Sequence, residues 1–67
     1  MNTLSIRTLN FYFNELYTAH KLDDFDNVAH YHTKISTYSV AMIDFGIEFE
    51  ICDALCSEAN RVMMSMF

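Results

Sequence analysis

Asp44-Phe45-Gly46-Ile47-Glu48-Phe49 decides the architecture of this chain. It contains the sole glycine and lies in the middle of the longest regular pattern in the sequence. Val28, Tyr31, Ile35, Tyr38, Met42, Phe45, Phe49, Cys52, Cys56, Ala59, Met63 and Met66 keep one alternating three-and-four spacing, and all are apolar. That is the spacing of a heptad seam on a helix. Two folds accommodate it: one helix from residue 24 to 66, about 64 Å long at 1.5 Å per residue, or two helices joined by a turn at Gly46. Asp44, Glu48 and Glu50 suit the start of a new helix and Arg61 its end, which favours a turn. Against a turn stand the flanking Ile43, Phe45 and Ile47, the absence of Pro, Asn or Ser nearby, and the unbroken phase of the seam. A loop normally resets a heptad. The seam therefore predicts an all-α antiparallel hairpin whose long second helix is continuous or kinked near Gly46, with a three-helix bundle as the alternative.

Before this stretch, Ile6, Leu9, Phe13, Leu16 and His20 keep a helical rhythm, predicting a first helix over about residues 4 to 21. His20 and Lys21 suit the negative end of its dipole, and Asp23 or Asp24 suits the N-cap of the next helix, so the connection is short. A second apolar stripe, Val40, Ile43, Ile47, Ile51 and Leu55, lies largely off the seam, so residues 40–55 are apolar on two sides. A first helix of about 27 Å covers half of a 64 Å partner. The uncovered half, lined by Tyr38, Met42, Phe45, Phe49, Cys52, Cys56, Ile47, Ile51 and Leu55, predicts a homodimeric bundle.

The composition agrees with one small helical domain, residues 1–67. Over half of the 67 residues are apolar (52%), with four tyrosines, six phenylalanines, one glycine and no proline. A chain this short buries only about 60% of its unfolded surface, so the apolar excess calls for a rich core or a partner. Disorder is excluded by that hydrophobicity, and sheet folds built from βαβ units by length and lack of turn residues. No apolar run approaches the roughly 20 residues that span a bilayer, so no membrane is expected. The start Met1-Asn2-Thr3-Leu4-Ser5-Ile6-Arg7 lacks the pattern of a secretory signal, which predicts a cytoplasmic protein with reduced thiols.

Few residues invite chemistry. Cys52 and Cys56 lie one helical turn apart, but His30 and His32 face apart, and a chain folded back near residue 45 brings the cysteines opposite about residues 39 and 35. They read as core residues, so neither a metal nor another cofactor is expected. Without a strained nucleophile turn or a paired acid and base, no enzymatic activity is expected.

Charge says more. Nine acids oppose four bases, and no base lies between Lys34 and Arg61, an interval holding Asp44, Glu48, Glu50, Asp53 and Glu58. Direct nucleic-acid binding needs the opposite sign. In size and helical style alone the chain resembles small plasmid-copy regulators. Asp24-Phe25-Asp26-Asn27-Val28-Ala29-His30-Tyr31-His32-Thr33-Lys34-Ile35 resembles the second helix of a tetratricopeptide repeat, but no 34-residue repeat recurs, and the match is the shared grammar of helical hairpins. The acidic interval, interleaved with apolar residues, predicts docking on a protein with a basic surface, including a nucleic-acid-binding one. An inhibitor or regulator, of the kind phages and mobile elements encode, is the expected function; a scaffolding subunit of a larger helical assembly is the alternative. A metal- or thiol-dependent regulator using Cys52 and Cys56 is a third reading.

Overall fold

The computed structural model describes the backbone of residues 3–67 and the side chains of residues 6–67. Met1 and Asn2, part of the stretch judged for a secretory signal, lie outside the described residues. Three helices are present, α1 (Thr3–Lys21), α2 (Phe25–Ile43) and α3 (Phe49–Met64), with no strand among the described residues. The alternative bundle is the observed one. No described helix is long and apolar enough to cross a membrane.

The continuous second helix is thereby corrected, and the reason is local. The Ile47 amide donates to the Met42 carbonyl (3.1 Å) and the Gly46 amide to the Ile43 carbonyl (3.2 Å), while Gly46 has φ +104°. This pair of bonds around a left-handed residue is a Schellman motif, which satisfies carbonyls that a terminating helix would leave unpaired. Ile47 supplies the apolar residue that such a motif places next. It is 7% exposed, so the same residue that closes the helix end enters the interior. Glu48 then serves as N-cap of α3, with φ −72° and ψ 147° and no side-chain cap bond.

The first connection uses the same device without glycine. The Asp24 amide donates to the Ala19 carbonyl (2.9 Å) and the Asp23 amide to that of His20 (3.1 Å), with Asp23 left-handed at φ 58°. Aspartate is among the few residues besides glycine that visit this region. Asp24 caps α2, accepting from the Asn27 amide at 3.3 Å.

α2 packs against both of its neighbours. Its Val28 and Ile35 join Leu16 and Ala19 of α1 and Ala59 and Val62 of α3 in the core, with Tyr12, Phe13, Tyr31, Met63 and Met66 against it. The buried face of α1 thus runs through Leu9, Leu16 and Ala19; Ile6 and His20, expected on it, are exposed. α1 and α3 are joined at the surface: the Tyr17 hydroxyl donates to Glu58 (2.7 Å), and His20 Nε2 lies 2.8 Å from the Ser65 hydroxyl. Because that hydroxyl donates to the Val62 carbonyl (2.7 Å), it accepts from His20. The Ser39 hydroxyl is fully buried with no hydrogen-bond partner.

Candidate interaction surface

The turn between α2 and α3 carries two large aromatics into solvent. Phe45 is 78% exposed and Phe49 is 68% exposed. Around them Asp44 caps the end of α2, Glu48 caps the start of α3 and Glu50 lies in its first turn, all exposed. Val40, Ile43 and Ile51 add exposed apolar area near the same turn. Single exposed hydrophobes are ordinary on protein surfaces; several within a dozen residues at one turn make a patch of the kind that marks interaction sites.

The seam explains where these residues come from. Val28 and Ile35 are buried, and Tyr31, Tyr38 and Met42 half-buried, on α2; Cys52 and Ala59 are buried, and Cys56 and Met63 half-buried, on α3, with Met66 half-buried just past its end. Only Phe45 and Phe49, the two positions flanking the turn, leave the interior. The turn keeps the heptad phase in sequence but breaks it in space. From the second stripe, Ile47 is buried and Leu55 half-buried, whereas Ile51 faces solvent.

The five acids of the barren interval do not form one surface. Asp44, Glu48 and Glu50 cluster in sequence at the turn. Asp53 instead lines a groove of about 320 Å³ with His32, Ser36, Cys56, Ser57 and Asn60. Glu58 reaches the opposite side of α3, where it pairs with Arg61 and accepts from Tyr17. Arg61, the largest influence, and Tyr17 together hold the Glu58 carboxyl below its ordinary range. Glu58 is therefore compensated within the fold, whereas Asp44, Glu48 and Glu50 at the turn and Asp53 in the groove have no ion pair among the described residues.

The cysteines sit where core residues should, but not apart from every histidine. Cys52 is buried and Cys56 half-buried, both as free thiols. Burial, then the neighbouring Cys56 and Asp53, pushes the Cys52 thiol up, which keeps it protonated and weakly nucleophilic. Cys56 and His32 line the same groove, correcting the expectation that folding back separates them; His32 lies one turn before Ser36, which faces Cys56 across that groove. His32 Nε2 is engaged by Asn60 Oδ1 at 3.0 Å. Among the described residues no group of three His, Cys, Asp or Glu side chains is placed to hold a metal ion.

One feature escaped the sequence reading. A second groove of about 320 Å³, more apolar, is lined by Tyr12 of α1 and Thr33, Lys34, Thr37, Tyr38 and Ala41 of α2. The Tyr12 and Tyr38 rings meet edge to face at 5.8 Å, and Lys34 Nζ lies 5.8 Å from the Tyr12 ring centroid. Phe11 and Tyr31 extend the aromatic cluster, at 6.1 Å from Tyr12 and 6.3 Å from it respectively. The signal was present as Tyr12 flanking the first stripe and Tyr38 on the seam, but nothing in the sequence aligned them across two helices.

Comparison with protein-family models, with curated proteins and with solved structures found no match.

Proposed function

We propose that this protein is a non-enzymatic interaction module that inhibits or regulates a macromolecular partner by presenting the Phe45 and Phe49 side chains to it. The observation that carries this reading is their exposure at a turn whose charged residues are all acidic. A partner that fits has an apolar pocket with a basic rim, as the surface of a nucleic-acid-binding protein can offer. Burying a phenylalanine side chain contributes about 1.5–3 kcal/mol, and aromatic anchors dominate interface energies. Carboxylates around such anchors speed encounter and select the partner's sign more than they add affinity. The free thiols suit action in a reducing compartment, the cytoplasm.

The test is capture by the tagged protein from its host, compared across two variants. Phe45→Ser with Phe49→Ser should abolish capture of the specific partner, and Asp44→Lys with Glu48→Lys and Glu50→Lys should abolish or strongly slow it. Both variants should keep the helical circular dichroism of the parent, since none of these side chains is buried. An unchanged set of captured proteins with both variants would refute the proposal.

A further inference from the structure

We infer that, in the absence of its partner, the acidic aromatic turn of one copy occupies the Tyr12–Lys34–Tyr38 groove of a second copy, and reciprocally. This rests on reading the turn as a docking element, and it names what covers that element when the protein is alone.

Charge decides between modes of self-association. A two-fold contact of turn on turn buries Phe45 and Phe49 but brings Asp44, Glu48 and Glu50 of both copies together with no base to offset them. Like charges so juxtaposed are strongly unfavourable. The groove offers the complement. Its rings supply an apolar, edge-rich wall for a phenyl group, and Lys34 pairs with no carboxylate among the described residues, its ammonium lying over the Tyr12 ring. A carboxylate from Asp44 or Glu48 arriving with Phe45 would give Lys34 a counter-charge while the ring fills the groove. The volume of about 320 Å³ is at the lower end of clefts that hold compact ligands, about 300–1,000 Å³.

Placement makes the exchange symmetric. Ala41 lines the groove in the last turn of α2 (Phe25–Ile43) and Phe45 follows two residues past the end of that helix, so acceptor and donor surfaces are neighbours along the molecule. A two-fold axis perpendicular to α2, passing between groove and turn, lets each copy give its turn to its mate's groove and receive its mate's, the self-complementary arrangement that closed dimers require. The polar groove of His32 and Cys56 offers no such match, because Asp53 lines it.

The test is sedimentation velocity of the whole chain over low-micromolar to near-millimolar concentration, with a charge exchange. Wild type should dimerise, and more weakly as salt rises. Lys34→Glu alone, and Asp44→Lys with Glu48→Lys alone, should each weaken the dimer by roughly a hundredfold, since each places like charges in the contact. Mixing the two variants should restore a one-to-one heterodimer, because every reciprocal contact then pairs opposite charges. A wild type that stays monomeric throughout, variants that dimerise like wild type, or a mixture that does not associate would each overturn the inference. Lys34→Glu leaves the turn intact, so partner capture by that variant reports on the proposed function separately: retained or increased capture supports that function whatever the mass of the free protein.

Discussion

Replacing Gly46 by alanine tests the architecture at its decisive point. Nothing lies within 4 Å of where a Cβ would stand, so the substitution meets no steric obstacle and its whole cost is conformational. At φ +104° an L-residue pays about 1–2 kcal/mol. Reduced freedom of the unfolded chain returns about 0.4–1 kcal/mol, leaving a net loss near 1 kcal/mol. The same change favours the competing long helix, in which alanine is about 1 kcal/mol better than glycine. Relative to the turn, the continuous helix gains about 2 kcal/mol, roughly thirtyfold in population. Urea unfolding followed by circular dichroism measures the first quantity. Small-angle scattering measures the second, because the compact form spans 34 × 19 × 13 Å while a helix from residue 24 to 66 is about 64 Å long. Gly46→Asn is the control: asparagine is bulkier than alanine but tolerates the left-handed region, so it should cost less. If Gly46→Ala leaves the urea midpoint unchanged, or Gly46→Asn costs more than Gly46→Ala, the helix does not end through a left-handed residue at this position.

Two further outcomes follow from buried and charged groups. Ser39→Ala removes a fully buried hydroxyl with no partner, so urea unfolding should show stability unchanged or raised by up to about 1 kcal/mol; a loss above about 1 kcal/mol would mean the hydroxyl is satisfied. Glu58 has its carboxyl held down by Arg61 and Tyr17, so the stability it contributes is complete above the ordinary carboxylate range and is lost as pH falls through the lowered folded value. Thermal unfolding across acidic pH should therefore be flatter for Glu58→Gln than for wild type, and parallel curves would contradict this linkage.

Much of the fold was legible in side-chain spacing, and its main misreading has a specific cause. The first helix ends at Lys21 and Asp24 caps the second, as the basic-then-acidic sequence implied. At Gly46 the heptad phase argued for continuity, because a periodic pattern reports which positions match and not whether the backbone between them is helical. The Gly-Ile pair carried the contrary signal, a left-handed residue followed by the apolar residue that a Schellman closure seats inside. Of the candidate site, the acidic run was visible but its division was not. Glu50 and Asp53 leave one side of α3 and Glu58 another, and which of these meets Arg61, a groove or solvent depends on how α1 and α2 lie against it.

The seam and the surface are then two results of one event. A turn placed between Met42 and Cys52 takes two heptad positions out of the interior while leaving the rest on either side of it. In a protein that needed only to fold, those two positions gain nothing from phenylalanine, because an exposed ring contributes no burial and lowers solubility. The core lies elsewhere, among Leu16, Ala19, Val28, Ile35, Ala59 and Val62, while Phe45, Phe49, Asp44, Glu48 and Glu50 are all exposed. The exposed side chains at the turn can therefore be altered without loss of the bundle, unlike Gly46 and Ile47 beside them, while the core substitution Ile35→Ala should cost about 2–5 kcal/mol. Binding and folding occupy different residues of the same periodic pattern, which makes the docking reading separable by mutation from the stability of the fold.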